Sequence, residues 1–489
     1  MTCQLPSDCL NEIFEYLEED RSTLYSCLSV NHLWCEISVR ILWRNICKFK
    51  TENNIVASSI LSTLISCLPN ESKKLLYENK VFILTPTSKL PLFNYVAFCK
   101  VLSINFINEI VCNVLKDELL SRKRLVTEEI IKMFANQIYS LKKLFYHNDY
   151  YYLNFSFPYF PGLRDLSELR CASNLPSNFF NQLSQICRNL HTLSIDFESN
   201  YTSNELKELI SLQSNLKILT LSAYDDASWK DIIPALKNNS NAITKLYLYG
   251  DKSDLPLSFV GLLSNLQEFI FSFMDGHHFE DFKALQHVKF SNLQTLKFSY
   301  QCPRPEYIMK FLENNGKNLK KFFIGDCNRE LSLSIANFCS NLKSLFVIFK
   351  NSELDMLKTI FINCKYLESI KVWCGKSYFV NEYFLSEEEV FEAVVKYSPN
   401  NFCELKIYNT SHSYISSEDL ESFFISWKNR IPKKILSLVI IKDEVNIGLN
   451  LVDCEENVEI IEKYENLGVI KFRTIDYEED KDEEELIFQ

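Results

Sequence analysis

Glycine is scarce in this sequence, with 9 glycines among 489 residues. Loops that cradle phosphate groups need glycine where the backbone approaches the ligand closely, so a glycine-dependent nucleotide site is not expected. The sequence also lacks a Walker loop, a dinucleotide fingerprint, a kinase signature and a G-x-S-x-G nucleophile motif. Enzymes of these classes therefore find no support, and no cofactor is predicted.

Closely spaced cysteine pairs are absent as well, although the chain has 17 cysteines. No C-x-x-C pair occurs, which argues against a zinc ribbon or a RING domain. The cysteines are widely spaced and lack a secretory context, so we expect buried, reduced thiols in a cytosolic or nuclear protein. A nucleophilic cysteine is an alternative, but nothing in the sequence marks one position for that role.

Long apolar runs and an excess of positive charge are also missing. The most apolar run, from Ile435 to Ile441, is far too short to cross a bilayer. The amino terminus has neither a basic region nor a long apolar stretch, so no targeting or membrane segment is expected. The net charge of -11 disfavours binding to a nucleic-acid backbone. Neither a membrane nor a nucleic acid is a predicted partner.

One group of side chains has the composition of a metal site: His277, His278 and His287, with Asp275 and Glu280. A metal ion needs ligands that converge in a fixed geometry. Adjacent histidine side chains diverge in a strand or an extended loop, so a surface loop without a metal is the preferred interpretation.

A helical pattern opens the sequence, and its apolar residues are Leu10, Ile13, Phe14 and Leu17. Ser7 is the predicted N-cap of this first helix. Apolar residues at helical spacing continue to about residue 43, which predicts two or three short helices, too small a unit to fold alone. Leu5 and Pro6 precede the first helix and have no obvious place in its core, so they are candidates to face a partner. The alternative is a helical cap on a larger domain.

The spacing of these residues resembles that of an F-box. The similar positions are Leu5-Pro6-x-Asp8, Ile13-Phe14-x-Tyr16-Leu17, Leu24, Val30, Trp34 and Leu42-Trp43. His32 departs from the family, in which Arg or Lys often stands shortly before the Trp. The resemblance implies binding to the adaptor protein of an SCF-type ubiquitin ligase. It assigns this contact to six residues: Leu5, Pro6, Ile13, Leu17, Val30 and Trp34.

A second pattern recurs from about residue 140: Leu, two variable residues, an apolar residue, one variable residue and another apolar residue. Its copies begin at Leu141, Leu163, Leu190, Leu216, Ile243, Leu266, Leu293, Leu319, Leu342 and Leu367, with looser copies at Phe402, Ile435 and Leu467. Alternating apolar residues predict a short strand, and steps of about 26 residues leave room for a helix that returns to a parallel sheet. Asn often precedes the first Leu and suits the turn into the strand.

These copies resemble leucine-rich repeats, especially the cysteine-containing kind that is common in F-box proteins. Leu319-x-x-Phe322-x-Ile324-x-x-Cys327 fits the family best, and Cys187, Cys339 and Cys364 each precede a first Leu by three residues. The fold class is therefore predicted as α/β: a helical F-box followed by a leucine-rich-repeat solenoid, with parallel strands on the concave face and helices outside.

Four segments are predicted along the chain: an F-box at 1–47, a helical connector or cap at 48–140, the solenoid at 141–475 and an acidic tail at 476–489. Within the connector we expect helices at 106–120 and 128–144 and a strand at 81–84. The tail contains the run Glu-Glu-Asp-Lys-Asp-Glu-Glu-Glu at 478–485 and is expected to be a solvated, disordered end. The steps after Leu367 lengthen to 32–35 residues, so the last three copies are either repeats or strands with inserted loops.

Side chains between the core positions of the strands are expected to form a broad surface that suits a protein partner better than a metabolite. The candidates for binding a target are Tyr247, Tyr249, Lys297, Phe323, Phe346, Lys371, Trp373, Lys406 and Tyr408, with Lys320 and Lys321 alongside. Aromatic and basic residues on an acidic protein favour an acidic or phosphorylated target segment. The alternative is a solvated face with scattered aromatic residues.

The F-box resemblance implies a non-catalytic substrate receptor that binds the SCF adaptor and, through it, the cullin and the RING subunit. The target would be an unknown protein, ubiquitinated for proteasomal degradation in the cytoplasm or the nucleus. A leucine-rich scaffold whose F-box acts outside ubiquitination is the alternative. An enzyme in its own right finds no support in the sequence.

Overall fold

The structure is a computed structural model that describes residues 5–49, 54–81, 91–147, 156–198, 202–225, 227–251, 255–274, 279–325, 328–377, 382–409, 415–442, 451–452, 454–477 and 480. The chain forms two compact units, Met1–Ala242 and Ile243–Gln489. Helices open the first unit and parallel strands are present in both units, so the predicted α/β fold class is confirmed.

Three short helices open the first unit: α1 Ser7–Glu15, α2 Arg21–Cys27 and α3 His32–Leu42. Ser7 is the first helical residue of α1 and Pro6 is its N-cap, so the predicted capping role of Ser7 is wrong. Side chains do cap the next two helices, because Asp20 accepts a hydrogen bond from the Thr23 N–H and Asn31 accepts one from the Trp34 N–H.

These three helices pack around one small core. Its buried members are Leu10, Phe14, Leu24, Cys27, Ile37, Ile41 and Leu42. The Trp34 ring meets the Phe14 ring edge-on at 5.1 Å and closes the core from one side. The apolar residues of the opening pattern therefore form two groups: those packed in this core, and those, such as Ile13, that remain exposed.

The described residues of the connector form four α-helices: α4 Asn54–Cys67, α5 Asn70–Glu78, α6 Ile104–Val114 and α7 Leu120–Gln137. Both predicted connector helices exist, but α7 begins before residue 128 and ends before residue 144. The expected strand at 81–84 falls mostly outside the described residues, and Val81 itself is not in a strand. A strand that the sequence did not predict, β1 Val101–Ser103, starts the parallel sheet forty residues earlier than expected.

The first unit contains five parallel strands in sequence order, β1 followed by β2 Lys143–Tyr146, β3 Glu168–Ala172, β4 Thr192–Phe197 and β5 Ile218–Ala223. The helices between and after them are α8 Ser177–Ile186, α9 Asn204–Ser211 and α10 Ile233–Leu236. The copy predicted to begin at Leu163 is out of register, because Leu163 lies in a 3-10 turn before the strand. Leu166, Leu169 and Cys171 fill the repeat positions instead, and all three are buried.

The second unit contains nine parallel strands, which are β6 Lys245–Gly250, β7 Glu268–Phe273, β8 Thr295–Tyr300, β9 Lys321–Ile324, β10 Ser344–Val347, β11 Ser369–Cys374, β14 Glu404–Asn409, β15 Leu436–Lys442 and β16 Ile470–Asp476. Its helices are α11 Pro305–Asn315, α12 Arg329–Phe338, α13 Leu354–Asn363, α14 Glu387–Tyr397, α15 Ser417–Lys428 and α16 Glu455–Asn466. A small antiparallel pair, β12 Lys376–Ser377 and β13 Glu382–Tyr383, is inserted before α14 and accounts for the first long step.

The strands are held in one register by a repeated backbone contact. The carbonyl of Lys320 accepts hydrogen bonds from the N–H groups of Lys343 and Ser344 at 2.8 and 3.0 Å. The carbonyl of Lys343 does the same for the next repeat, with Glu368 and Ser369 at 2.7 and 2.9 Å. Each strand therefore starts at a position fixed by the strand before it, and equivalent residues form straight rows across the sheet.

The first apolar position of the repeat is buried in every copy from Leu190 to Phe402. The last two predicted copies differ, because Ile435 and Leu467 are 50% and 53% exposed. Register places Ile435 at the first position of its strand, which is therefore not buried in this copy. In the last strand, register places the buried Val469 at the first position, so the copy predicted at Leu467 is out of register by two residues.

The asparagine before the first Leu bonds across the repeats rather than locally. The Asn318 side-chain amide donates to the carbonyl of Phe290 at 3.0 Å, and that of Asn341 donates to the carbonyl of Lys317 at 2.8 Å. Both acceptors belong to the preceding repeat. Asn215 and Asn292 also bond across the repeats, but to the side-chain oxygens of Asn189 and Asn265. Contacts between neighbouring turns are thus a stronger reason for the recurrence of asparagine than the local turn bond expected from the sequence.

The repeat cysteines lie in the core, as expected from their spacing. Cys187, Cys339 and Cys364 are fully buried. Burial raises the pKa of the Cys187 thiol to about 11 and that of the Cys364 thiol to about 12. These thiols are therefore neutral at physiological pH and poor nucleophiles, because the thiolate is the reactive form.

The stacked turns approach each other closely at Gly316, where an added Cβ would lie 2.8 Å from the carbonyl oxygen of Phe338 in the next repeat. We expect Gly316→Ala to lower the free energy of unfolding by about 1–3 kcal/mol, since neither backbone can move without shifting its repeat. A Cβ added at Gly325 would lie 3.7 Å from its nearest neighbour, the carbonyl oxygen of Tyr300, so Gly325→Ala is the matched control. Urea unfolding measures both, and equal midpoints would contradict the predicted close contact.

Alkylation of the folded chain with iodoacetamide at pH 8 should modify the exposed Cys9 and spare Cys187 and Cys364. A pKa near 11 instead of 9 lowers the thiolate fraction about a hundredfold, and burial blocks access in addition. Raising the pH toward 11 increases the thiolate fraction of Cys187, and unfolding in guanidinium should make all three react. Peptide mass spectrometry reads out each site, and rapid labelling of Cys364 in the folded chain would refute the assignment.

Candidate protein-interaction surfaces

The apolar patch consists of exposed apolar side chains on and next to α1–α3. Leu5, Ile13 and Val30 are 51%, 47% and 55% exposed, and Pro6 is exposed beside them. Leu17 and Trp34 are half-buried and pack against the small core of these helices. The structure thus places four of the six residues expected to contact an adaptor on the surface, and the other two at its base.

The patch is larger than the sequence pattern suggested. Tyr16 and Tyr25 are 89% and 46% exposed and were not among the expected contact residues. Tyr16 directly follows α1, and Tyr25 lies on α2 next to the buried Leu24. Both are aromatic residues in or directly after a helix and neither belongs to the small core, which is the feature of the sequence that could have identified them.

A row of polar contacts fixes α1 against α3 and the turn after it. The Asn11 side chain accepts a hydrogen bond from Arg40 at 2.7 Å, Glu15 forms an ion pair with Arg44, and Glu19 lies 2.6 Å from Lys48. The partners are spaced four residues apart on both sides of this row. The Arg44 guanidinium, which donates to Glu15, lowers the pKa of the Glu15 carboxyl group. The apolar patch is therefore not needed to join the two helices.

The backbone after α3 continues directly into the sheet of the same unit. The carbonyl of Arg44 accepts hydrogen bonds from the N–H groups of Lys100 and Val101 at 2.8 and 3.0 Å, which is the contact that also starts β2 to β5. The Trp43 ring packs on the Tyr95 ring at 4.7 Å. The orientation of the three helices relative to β1 is thereby fixed.

The second surface lies on the strands of the second unit and contains all nine residues expected to bind a target. Register places Lys297, Phe323, Phe346, Lys371 and Lys406 in one row across five neighbouring strands. The list is completed by Tyr247, which extends this row, and by Tyr249, Trp373 and Tyr408, which lie two residues further along their strands. Side chains two residues apart share a face, so the nine lie on one side of the sheet.

This face is less solvated than the sequence suggested. Five of the nine side chains are buried: Tyr247, Tyr249, Lys297, Lys371 and Tyr408. The Tyr247 hydroxyl donates to Glu268 at 3.1 Å, and burial together with the Glu268 charge raises the pKa of Tyr247. Phe323, Phe346, Trp373 and Lys406 are half-buried, whereas Lys320 and Lys321 are exposed. Whether these residues bind a target stays a prediction.

The residues after β16 cover part of this face. The Tyr477 ring packs on the Tyr408 ring at 5.0 Å. The Asp480 carboxylate is fully buried, bonded to the Lys371 ammonium and 3.7 Å from that of Lys406. The acidic tail was expected to be solvated, and at these two positions that expectation is wrong. The remaining tail positions lie outside the described residues.

A cavity of about 160 Å³ adjoins the covered area. Its walls include Lys297, Phe323, Phe346, Trp373 and Tyr477. The Trp373 indole nitrogen is buried and has no hydrogen-bond partner among the described residues. The cavity therefore combines aromatic walls, two lysines and an unsatisfied donor, an environment suited to part of a polar or acidic side chain.

The described part of the chain contains no group of three or more side chains that could hold a metal ion. His277, His278 and Asp275 lie outside the described residues, so the predicted loop there is not tested. Within the described ranges, no helix is both long and apolar enough to span a bilayer.

Comparison with known proteins identifies the amino-terminal helices. The sequence matches no curated protein. Among solved structures, the fold is similar to one described as the crystal structure of a Rad7 and Elc1 complex in yeast, with a TM-score of 0.41, 13% sequence identity, and coverage of 93% of this chain and 100% of that chain. Similarity at this level establishes neither a function nor a partner. Residues 2–48 match the F-box-like family, so α1–α3 form the F-box-like domain that the spacing of Leu5 to Trp43 predicted.

Proposed function

We propose that this protein is a non-catalytic substrate receptor of an SCF-type cullin–RING ubiquitin ligase. Its F-box-like domain binds the adaptor protein, which connects it to the cullin and to the RING subunit. The strands that follow are assigned to leucine-rich repeats of the cysteine-containing kind and hold the target protein. The complex would act in the cytoplasm or the nucleus.

The exposed patch within the F-box-like domain carries this proposal. A domain of this size cannot spare large apolar side chains from its core without a reason, and clustered exposed apolar residues mark interaction sites. The core of α1–α3 is complete without Leu5, Ile13 and Val30, and the polar row of Asn11 to Lys48 joins the helices on another side. The patch is thus available for a partner.

The repeated strands support the second half of the proposal. Nine parallel strands in register spaced at about 4.8 Å present a broad face, which suits a protein segment better than a small metabolite. The receptor supplies no reacting group in this scheme. It increases the rate of ubiquitin transfer by holding the target near the charged enzyme, which is catalysis by proximity.

A leucine-rich scaffold would use the same two surfaces without promoting degradation. The two functions separate in cells, because only a receptor copurifies with the cullin and shortens the half-life of its target in a manner that proteasome inhibition reverses. Capturing targets with the adaptor contact disabled, so that bound proteins accumulate, would identify the target.

We expect Ile13→Asp to weaken capture of the purified adaptor at least 30-fold, because it places a charge in the centre of an apolar contact. The double variant Leu5→Ala and Pro6→Ala should abolish pulldown. The matched control is Ile55→Asp, since Ile55 is also an isoleucine exposed on a helix of the same unit, at 72%. Calorimetry or surface plasmon resonance measures the affinities.

Circular dichroism melting of each variant shows whether the repeats remain folded. Adaptor binding that survives both Ile13→Asp and the double variant would refute the assigned contact. Equal losses for Ile13→Asp and Ile55→Asp would indicate a general effect of the introduced charge.

A further inference from the structure

Two lysines on adjacent strands share one carboxylate from the end of the chain. Lys371 on β11 and Lys406 on β14 are direct register partners, and the Asp480 carboxylate lies against both ammonium groups. Lys371 is buried and Lys406 is half-buried, so these like charges on neighbouring strands repel each other and lose part of their hydration, and an anion between them stabilises the pair. The site is therefore built to hold a carboxylate.

An aromatic contact accompanies the carboxylate. Tyr477, three residues before Asp480, packs on Tyr408, which in turn packs on Trp373 with ring centroids 5.0 Å apart. The same cluster contains the buried apolar residues Val439, Ile441 and Ile475. Tyr477 thus contacts the aromatic residues of this face, while Asp480 contacts its two lysines.

Tyr477 and Asp480 leave part of this region open. The cavity of about 160 Å³ lies along the same row, on the side of Lys297 and Phe323, and Tyr477 and Lys371 form part of its wall. A longer or differently shaped acidic segment could use both the lysine pair and this cavity.

We propose that the acidic chain end is an intramolecular ligand that occupies the binding site for an acidic segment of the target protein. The target segment supplies a carboxylate to Lys371 and Lys406 and an aromatic side chain to the Tyr408 cluster, and it binds by displacing Tyr477 and Asp480. The inference rests on the proposed role of this sheet face in holding a target. It adds the chemistry of the target segment and a means of regulation, because a tethered competitor lowers the apparent affinity of every ligand for the same site.

The test uses a fluorescent peptide with the sequence of residues 477–489 and the full-length chain. In the wild-type chain the tethered segment competes with the peptide. We expect Asp480→Asn to remove that competition and strengthen peptide binding at least tenfold in fluorescence anisotropy. The matched control is Asp476→Asn, since Asp476 is an exposed aspartate at the end of β16.

Specificity is tested in the Asp480→Asn background. Lys371→Met combined with Lys406→Met should reduce peptide binding at least tenfold, whereas Lys320→Met combined with Lys321→Met, which removes two exposed lysines, should change it less than twofold. A scrambled peptide of identical composition should bind at least tenfold more weakly. Equal binding of both peptides, or no response to Asp480→Asn, would overturn the proposal.

A measurement on the wild-type chain covers the case in which Asp480→Asn fails to fold. Hydrogen exchange of the chain end should accelerate, with saturation, as unlabelled peptide is added, and unchanged exchange would also overturn the proposal. Adaptor capture by the wild-type chain reports separately on the receptor function. If adaptor capture fails while peptide binding behaves as expected, the results support the acid-binding site and contradict the receptor function.

Discussion

The rest of the structure depends on a backbone contact in which one carbonyl accepts two N–H groups from the start of the next strand. It sets the positions of β2 to β5, β7 to β11 and β14, as at Lys320 and Lys343. In a parallel sheet of constant register, residues that recur once in every repeat lie next to each other and form straight rows of side chains. Without that constancy, residues more than twenty positions apart would not meet on one surface.

Both candidate surfaces follow from this register. The Arg44 carbonyl forms the same contact with Lys100 and Val101, so the F-box-like helices are held at the beginning of the first sheet. At the other surface, register places Lys371 beside Lys406 and thereby creates a pair of positive charges. The Asp480 carboxylate stabilises that pair, and the cost of desolvating the three groups reduces the net free energy gained from the contact.

The register at Leu163, strand β1 and the Asp480 contact differ from the sequence-based predictions for physical reasons. The motif at Leu163 was read three residues early because Leu163, Leu166 and Leu169 satisfy the same spacing twice in succession. The first strand was missed because Cys99, not a leucine, holds its first position, 42 residues before Leu141. The Asp480 contact was not predictable, since nothing local links a residue in an acidic run to a lysine 109 positions away.

The sequence by itself determined the order of the elements, the identity of the F-box-like helices and the alternation that divides each strand between two faces. These properties follow from local periodicity, which neighbouring residues carry. Only the tertiary structure decided which residues are accessible: it exposed Tyr16, buried Lys297 and placed the chain end over Tyr408. Accessibility depends on contacts between segments that are distant in sequence, and the free energy of such a contact cannot be derived from either segment alone.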